Sequence, residues 1–107
     1  MEVTERKSSP LALSESHFSI VIDLIEKHLP KTQVWAYGSR VSGKSRPSSD
    51  LDLVVFIPKE LKNKFFDLVE AFDDSDLPFR VDLFIWEQIP ENFKTEILSN
   101  HLVLQTS

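Results

Sequence analysis

Three carboxylates and a glycine–serine corner are the residues of this chain whose types and spacing could do chemistry. Asp50 and Asp52 open an apolar run, Asp50–Ile57. Two apart in a strand, their side chains share a face, roughly 7 Å from one another along the backbone. Both can then reach one pair of divalent ions. Asp82 lies in a later apolar run, F-R-V-D-L-F-I-W, from Phe79 to Trp86. A lone charge inside such a strand is costly unless it is paired or ligates a metal. Hard oxygen donors without a nearby histidine or cysteine suit Mg²⁺ or Mn²⁺. Taken singly, Asp50 also reads as a turn residue and Asp82 as the partner of Arg80. Asp52, between Leu51 and Leu53, has no such plain alternative.

Gly38-Ser39 supplies the other half. The chain has only two glycines, Gly38 and Gly43, and both lie between the first apolar run, Val34–Tyr37, and Asp50. Glycine permits a sharp backbone turn and a close approach to a ligand. Amides opening a helix after it can point at phosphate oxygens, and Ser39 adds a hydroxyl. Arg40, Lys44 and Arg46 are close enough in sequence to neutralise a triphosphate. From Lys31 to Ser49 there are no acidic residues. Such a local cationic loop suits a small polyanion better than a long duplex. Gly43-Lys44-Ser45, a lone glycine-lysine-serine tripeptide, is weak evidence of a phosphate loop.

These residues need elements to position them. Ser14 or Ser16 can cap a helix whose apolar face runs from Phe18 to Leu29, ended by Pro30. Val34–Tyr37 reads as a strand, Ser39 to Lys44 as a short helix and Asp50–Ile57 as a second strand. Its unbroken apolar stretch expects cover on both faces. Lys59–Phe72 reads as a helix, Phe79–Trp86 as a third strand, and Pro90-Glu91 opens a last helix to about Asn100. Val103-Leu104 would add a short edge strand or pack down. The order α-β-α-β-α-β-α predicts an α/β (α+β) fold, a small mixed sheet flanked by helices. Strands one and two are expected antiparallel, and strands two and three parallel through the helical crossover.

Composition bounds the rest. The chain has 107 residues, which suits one core, with residues 1–12 read as a tail and 13–107 as one domain. Its net charge of -5 argues against a general binder of long nucleic acid. The absence of cysteine excludes disulfides and thiolate metal sites. No apolar stretch approaches the roughly 20 residues of a membrane span, and no signal peptide is visible, so a cytoplasmic protein is expected. The three histidines show no ligand spacing and are expected at the surface or at helix ends. Trp35 and Trp86 read as core more than as a base-stacking platform, and Tyr37, beside Gly38, as packing or as a wall of the nucleotide pocket.

Gly38-Ser39, ten residues, then Asp50-Leu51-Asp52, resembles the G-S-x10-D-x-D signature of the polymerase-β-like nucleotidyltransferases. Asp82 in its V-D-L strand sits where that superfamily has its third carboxylate. The size and the run W-A-Y-G-S-R are most similar to the minimal nucleotidyltransferases (MNT proteins). The resemblance covers roughly Val21 to Leu104. It implies that Gly38 and Ser39 hold the β- and γ-phosphates of ATP or another nucleoside triphosphate, with Arg40, Lys44 and Arg46 around them. It implies that Asp50, Asp52 and Asp82 hold two Mg²⁺ (or Mn²⁺) ions and carry nucleotidyl transfer to a hydroxyl. It also implies a small helical HEPN-type partner, whose tyrosine would receive AMP in an antitoxin role. The alternative is a non-catalytic module that binds nucleotide or partner. Acceptor, base preference and self-association stay open.

Overall fold

The computed structural model describes residues 11–107. The order of elements is α1 (Glu15–His28), β1 (Gln33–Tyr37), α2 (Ser39–Ser42), β2 (Leu51–Phe56), α3 (Lys62–Asp73), β3 (Val81–Ile85), α4 (Glu91–Ser99) and β4 (His101–Gln105). Short 3-10 turns at Lys59–Leu61 and Trp86–Gln88 precede α3 and α4. The four strands form one mixed sheet in the order β3-β2-β1-β4. β1 runs antiparallel to β2, as expected, and to β4, and β2 runs parallel to β3, as the helical crossover between them predicts. The C-terminal strand is a full edge strand, longer than Val103-Leu104. No helix among the described residues is long and apolar enough to cross a membrane.

Alternation along the strands sends different residues to each face of the sheet. Val34, Ala36, Leu51, Leu53 and Val55 join one core with Val21 and Ile25 of α1 and Phe65, Leu68 and Phe72 of α3. The Ser14 hydroxyl accepts a hydrogen bond from the His17 amide at 3.2 Å, so Ser14 is the cap of α1. On the opposite face Tyr37 and Val54 pack with Ile89 and Ile97, so α4 covers that side. The unbroken Leu53–Val55 run of β2 is fully buried because helices cover both faces there. Trp35 and Trp86 are only half-buried and build an aromatic cluster with Phe56. His101 lies just past the end of α4, a helix-end position as expected, and its ring stacks on Trp35 with centroids 3.8 Å apart.

Two boundaries shift with consequences. β2 begins at Leu51, whose amide donates to the Arg80 carbonyl at 2.9 Å, so Asp50 is the exposed residue just before the strand. Of the expected tail, residues 1–10 lie outside the described residues. Its last two residues are held by the domain: Leu11 is buried in the core, and the Ala12 amide donates to the Arg40 carbonyl at 2.9 Å.

Arg40 explains this attachment and corrects an expectation. Expected among the phosphate cations, it is instead 4% exposed. Its guanidinium donates to the carbonyls of Ala12, Pro47 and Ser49 and lies 4.3 Å from the Phe79 ring centroid. Loop backbone has no ladder of its own and needs donors from elsewhere. One planar cation with five N–H groups meets that need at three places. Arg40→Met removes those donors. It is expected to lower the unfolding free energy in urea by about 2–4 kcal/mol. Nucleotide affinity, measured under native conditions, should then change only as far as the loop loosens.

Candidate active site

The sheet register builds the site. Tyr37 of β1 pairs with Asp52 of β2, Asp52 with Asp82 of β3, and Tyr37 with His101 of β4. Asp82, Asp52, Tyr37 and His101 therefore form one row across all four strands. Neighbouring strands lie about 4.8 Å apart, so the two carboxylates are forced together. Asp50 stands just before the row, outside β2. The chain thus assembles in space the three carboxylates that are scattered in sequence.

Gly38 follows Tyr37 directly and faces Asp52. Its φ of 88° is left-handed, and a Cβ there would come within 2.6 Å of Asp52 Oδ2. Only glycine meets both demands. Gly38 then caps α2, and Gly43, with φ 87°, ends it in the left-handed C-cap conformation. This four-residue helix returns the chain toward β2. Beside it a cavity of about 480 Å³ is lined by Gly38, Ser42, Lys44 and Asp52 on one side and by Phe93, Glu96 and Asn100 on the other. That volume is in the range of small-molecule sites.

The expected site residues divide accordingly. Gly38, Lys44 and Asp52 line the cavity, Ser39 opens α2 beside it, and Asp82 joins through the register. Arg40 faces away, into the backbone of its own loop. Arg46 is exposed, does not line the cavity, and ties its amide to the Ser49 hydroxyl at 2.8 Å. Phe93, Glu96 and Asn100 were not foreseen. They come from α4 and its end, and the sequence shows there only an ordinary helix start at Pro90-Glu91. Tyr37 answers to both of its expected readings: it lines the cavity, and its ring centroid lies 6.3 and 5.9 Å from those of Phe84 and Phe93.

The electrostatics follow from crowding. The Asp52 carboxyl is pushed up from 3.8 to about 6 by burial first, then by Asp82 and Asp50, with Arg80 pulling the other way. Burial, and then the charges of Asp52 and Asp82, raise the Tyr37 hydroxyl, which stays a neutral donor. Arg80 Nε sits 3.0 Å from Asp82 Oδ1 and its Nη2 3.5 Å from Asp50 Oδ2. Among the described residues no group of three or more histidine, cysteine, aspartate or glutamate side chains is placed to hold a metal ion. The donor set is nonetheless all carboxylate, and the resisted ionisation of Asp52 marks a place where added positive charge is favourable.

Comparisons with known proteins identify the family. Residues 20–107 match the family described as "Polymerase beta, Nucleotidyltransferase". A Haemophilus influenzae protein, "Probable protein adenylyltransferase MntA", is 40% identical over 96 residues, spanning 89% of this chain and 84% of that protein. A solved toxin–antitoxin structure with AMP-PNP superposes with a TM-score of 0.64 at 19% identity, covering 84% of this chain and 73% of that one. A Shewanella oneidensis complex of a tri-AMPylated HEPN toxin with an MNT antitoxin superposes at 0.53 and 14% identity, covering 89% and 74%. At those identities the structural likenesses speak to the fold.

Two outcomes test the geometry. Gly38→Ala should lose about 1–3 kcal/mol of stability in urea unfolding, because the new Cβ meets both a disfavoured φ and a carboxylate. The Asp52 pKa is raised on folding, so its stabilising contribution is complete below pH 3.8 and fades as pH rises through about 6. Metal-free Asp52→Asn should therefore be more stable than wild type at pH 7, by about 1 kcal/mol after allowance for solvent screening. That gap should close near pH 4, below which wild-type Asp52 is itself neutral, as parallel urea titrations in chelator would read.

Proposed function

The chain belongs to the polymerase β nucleotidyltransferase family, and from that premise we propose that it is a protein adenylyltransferase. It moves AMP from Mg-ATP to a tyrosine hydroxyl on a helical HEPN-type partner, and so acts as an antitoxin. The observation that carries the reading is the Asp82–Asp52 pairing held against Gly38 at the mouth of the cavity. The printed function of the 40%-identical Haemophilus influenzae relative supports the adenylyl group. The AMPylated HEPN toxin of the Shewanella oneidensis complex supports the kind of acceptor.

The residues fit the work. Gly38 brings bare backbone to the β- and γ-phosphates, and Ser39 adds a hydroxyl donor. Lys44 supplies the mobile cation on the cavity wall. Asp50, Asp52 and Asp82 would hold two Mg²⁺ ions. When bound, these ions polarise the α-phosphoryl group and neutralise charge on the leaving pyrophosphate. Asp82 accepts the proton of the attacking hydroxyl. The new bond joins that oxygen to the α-phosphorus, and the bond from the α-phosphorus to the bridging oxygen breaks. Pyrophosphate leaves with the electron pair. Tyr37, kept neutral by burial and by the nearby charges of Asp52 and Asp82, adds no charge to the carboxylate row.

A second reading, a partner-binding module without catalysis, draws on Arg80, whose guanidinium already balances part of the carboxylate charge. Incubating the folded chain with ATP, Mg²⁺ and its helical partner separates the two, with AMP addition read by mass spectrometry. Transfer is expected. Asp52→Asn should reduce it at least about a thousandfold while the fold is kept. Lys44→Ala should reduce kcat/KM about ten- to hundredfold, mainly through KM for ATP. No transfer by the wild type, together with no heat on titration with Mg-ATP, would leave the binding module as the function.

A further inference from the structure

We propose that Arg80 is a built-in counter-cation of the carboxylate row, holding Asp50 and Asp82 together until a divalent ion displaces it. The proposal rests on the reading of those carboxylates as metal ligands. Arg80 stands immediately before β3, and its carbonyl accepts the Leu51 amide at 2.9 Å. Its backbone is thereby pinned beside the start of β2, between the two aspartates it contacts. From there Nε reaches Asp82 Oδ1 at 3.0 Å, and Nη2 reaches Asp50 Oδ2 at 3.5 Å. A planar fork serves two acceptors at once, which a single ammonium does less well.

The setting decides what this contact can do. Three carboxylates gather at the ends of two adjacent parallel strands, and without a cation they repel one another. The Arg80 side chain is 69% exposed, so its ion pairs are screened and individually weak. A buried pair would lock the site shut, whereas an exposed one steadies the ligands and yields to a doubly charged ion. A metal held by Asp50 and Asp82 would compete with the guanidinium for the same two carboxylates, so each would lower the occupancy of the other. Arg80 therefore sets a threshold of metal concentration for loading, separate from nucleotide binding.

The test is Mn²⁺ binding without nucleotide, read by electron paramagnetic resonance of the free ion. Wild type, Arg80→Gln and Arg46→Gln are compared. Arg46 is an exposed cation with no ion pair among the described residues, so its variant removes the same charge without touching the carboxylates. Arg80→Gln should bind Mn²⁺ about three- to tenfold more tightly than wild type, the combined worth of two exposed ion pairs. Arg46→Gln should match wild type. The melting temperature of metal-free Arg80→Gln should fall below wild type, and saturating Mn²⁺ should close that difference. Equal or weaker Mn²⁺ binding by Arg80→Gln overturns the proposal, as does equal tightening by Arg46→Gln. If neither wild type nor Arg80→Gln binds Mn²⁺, the metal reading of the carboxylates fails and takes this proposal with it. Binding with an unchanged ratio sinks the role of Arg80 alone.

Discussion

The close approach of Gly38 to Asp52 is the constraint on which the rest of the site depends. Antiparallel pairing of β1 and β2 sets Tyr37 opposite Asp52, so the next residue must pass directly over the carboxylate. Any side chain there would collide with Asp52 Oδ2, and the backbone must turn through a positive φ. Glycine meets both conditions, and the consequence is geometric. The backbone that would meet phosphate and the carboxylate that would meet metal are placed within one ligand's reach. The parallel pairing of β2 with β3 then adds Asp82 without further machinery.

Holding this arrangement requires that the loop between the two strands be rigid, and here the chain spends a buried charge. Arg40 donates to carbonyls before α1 and on either side of Ser48, so one residue fixes the N-terminal segment and the turn leading to Asp50. Burial pulls the basicity of Arg40 down, opposed by the nearby charge of Asp50. Carbonyl hydrogen bonds and the face of Phe79 compensate the desolvation. The basic character of the loop thus has two sources. Lys44 faces the cavity, whereas Arg40 is structural.

That division was not legible in the sequence, and the reason is physical. Composition counts Arg40, Lys44 and Arg46 as equivalent cations in a polar loop, because burial depends on where the N-terminal segment docks. What was legible follows from short-range rules. Two glycines around one turn, aspartates two apart at a strand start, and apolar runs of strand length yielded a small mixed sheet and the candidate residues gathered at one end of it. The helical crossover forecast the parallel pair, and the need to bring Gly38 beside Asp50 and Asp52 forecast the antiparallel one. Phe93, Glu96 and Asn100 were invisible because α4 reaches the site only after the chain has crossed the whole sheet. Asp50 lay one residue outside its expected strand, a boundary set by the Leu51–Arg80 backbone bond.

The placement of β3 at the rim of the sheet has a consequence for the protein's solubility. A rim strand offers unpaired amides and carbonyls that can recruit a strand from another molecule. β3 is only five residues long and reads V-D-L-F-I, with Phe84 41% exposed. Without charge it would be an adhesive edge. Asp82 within the strand and Arg80 just before it supply charges that an incoming strand would have to desolvate. Asp82, proposed as a ligand of the site, and Arg80 thereby also guard the border, and neutralising them risks self-association.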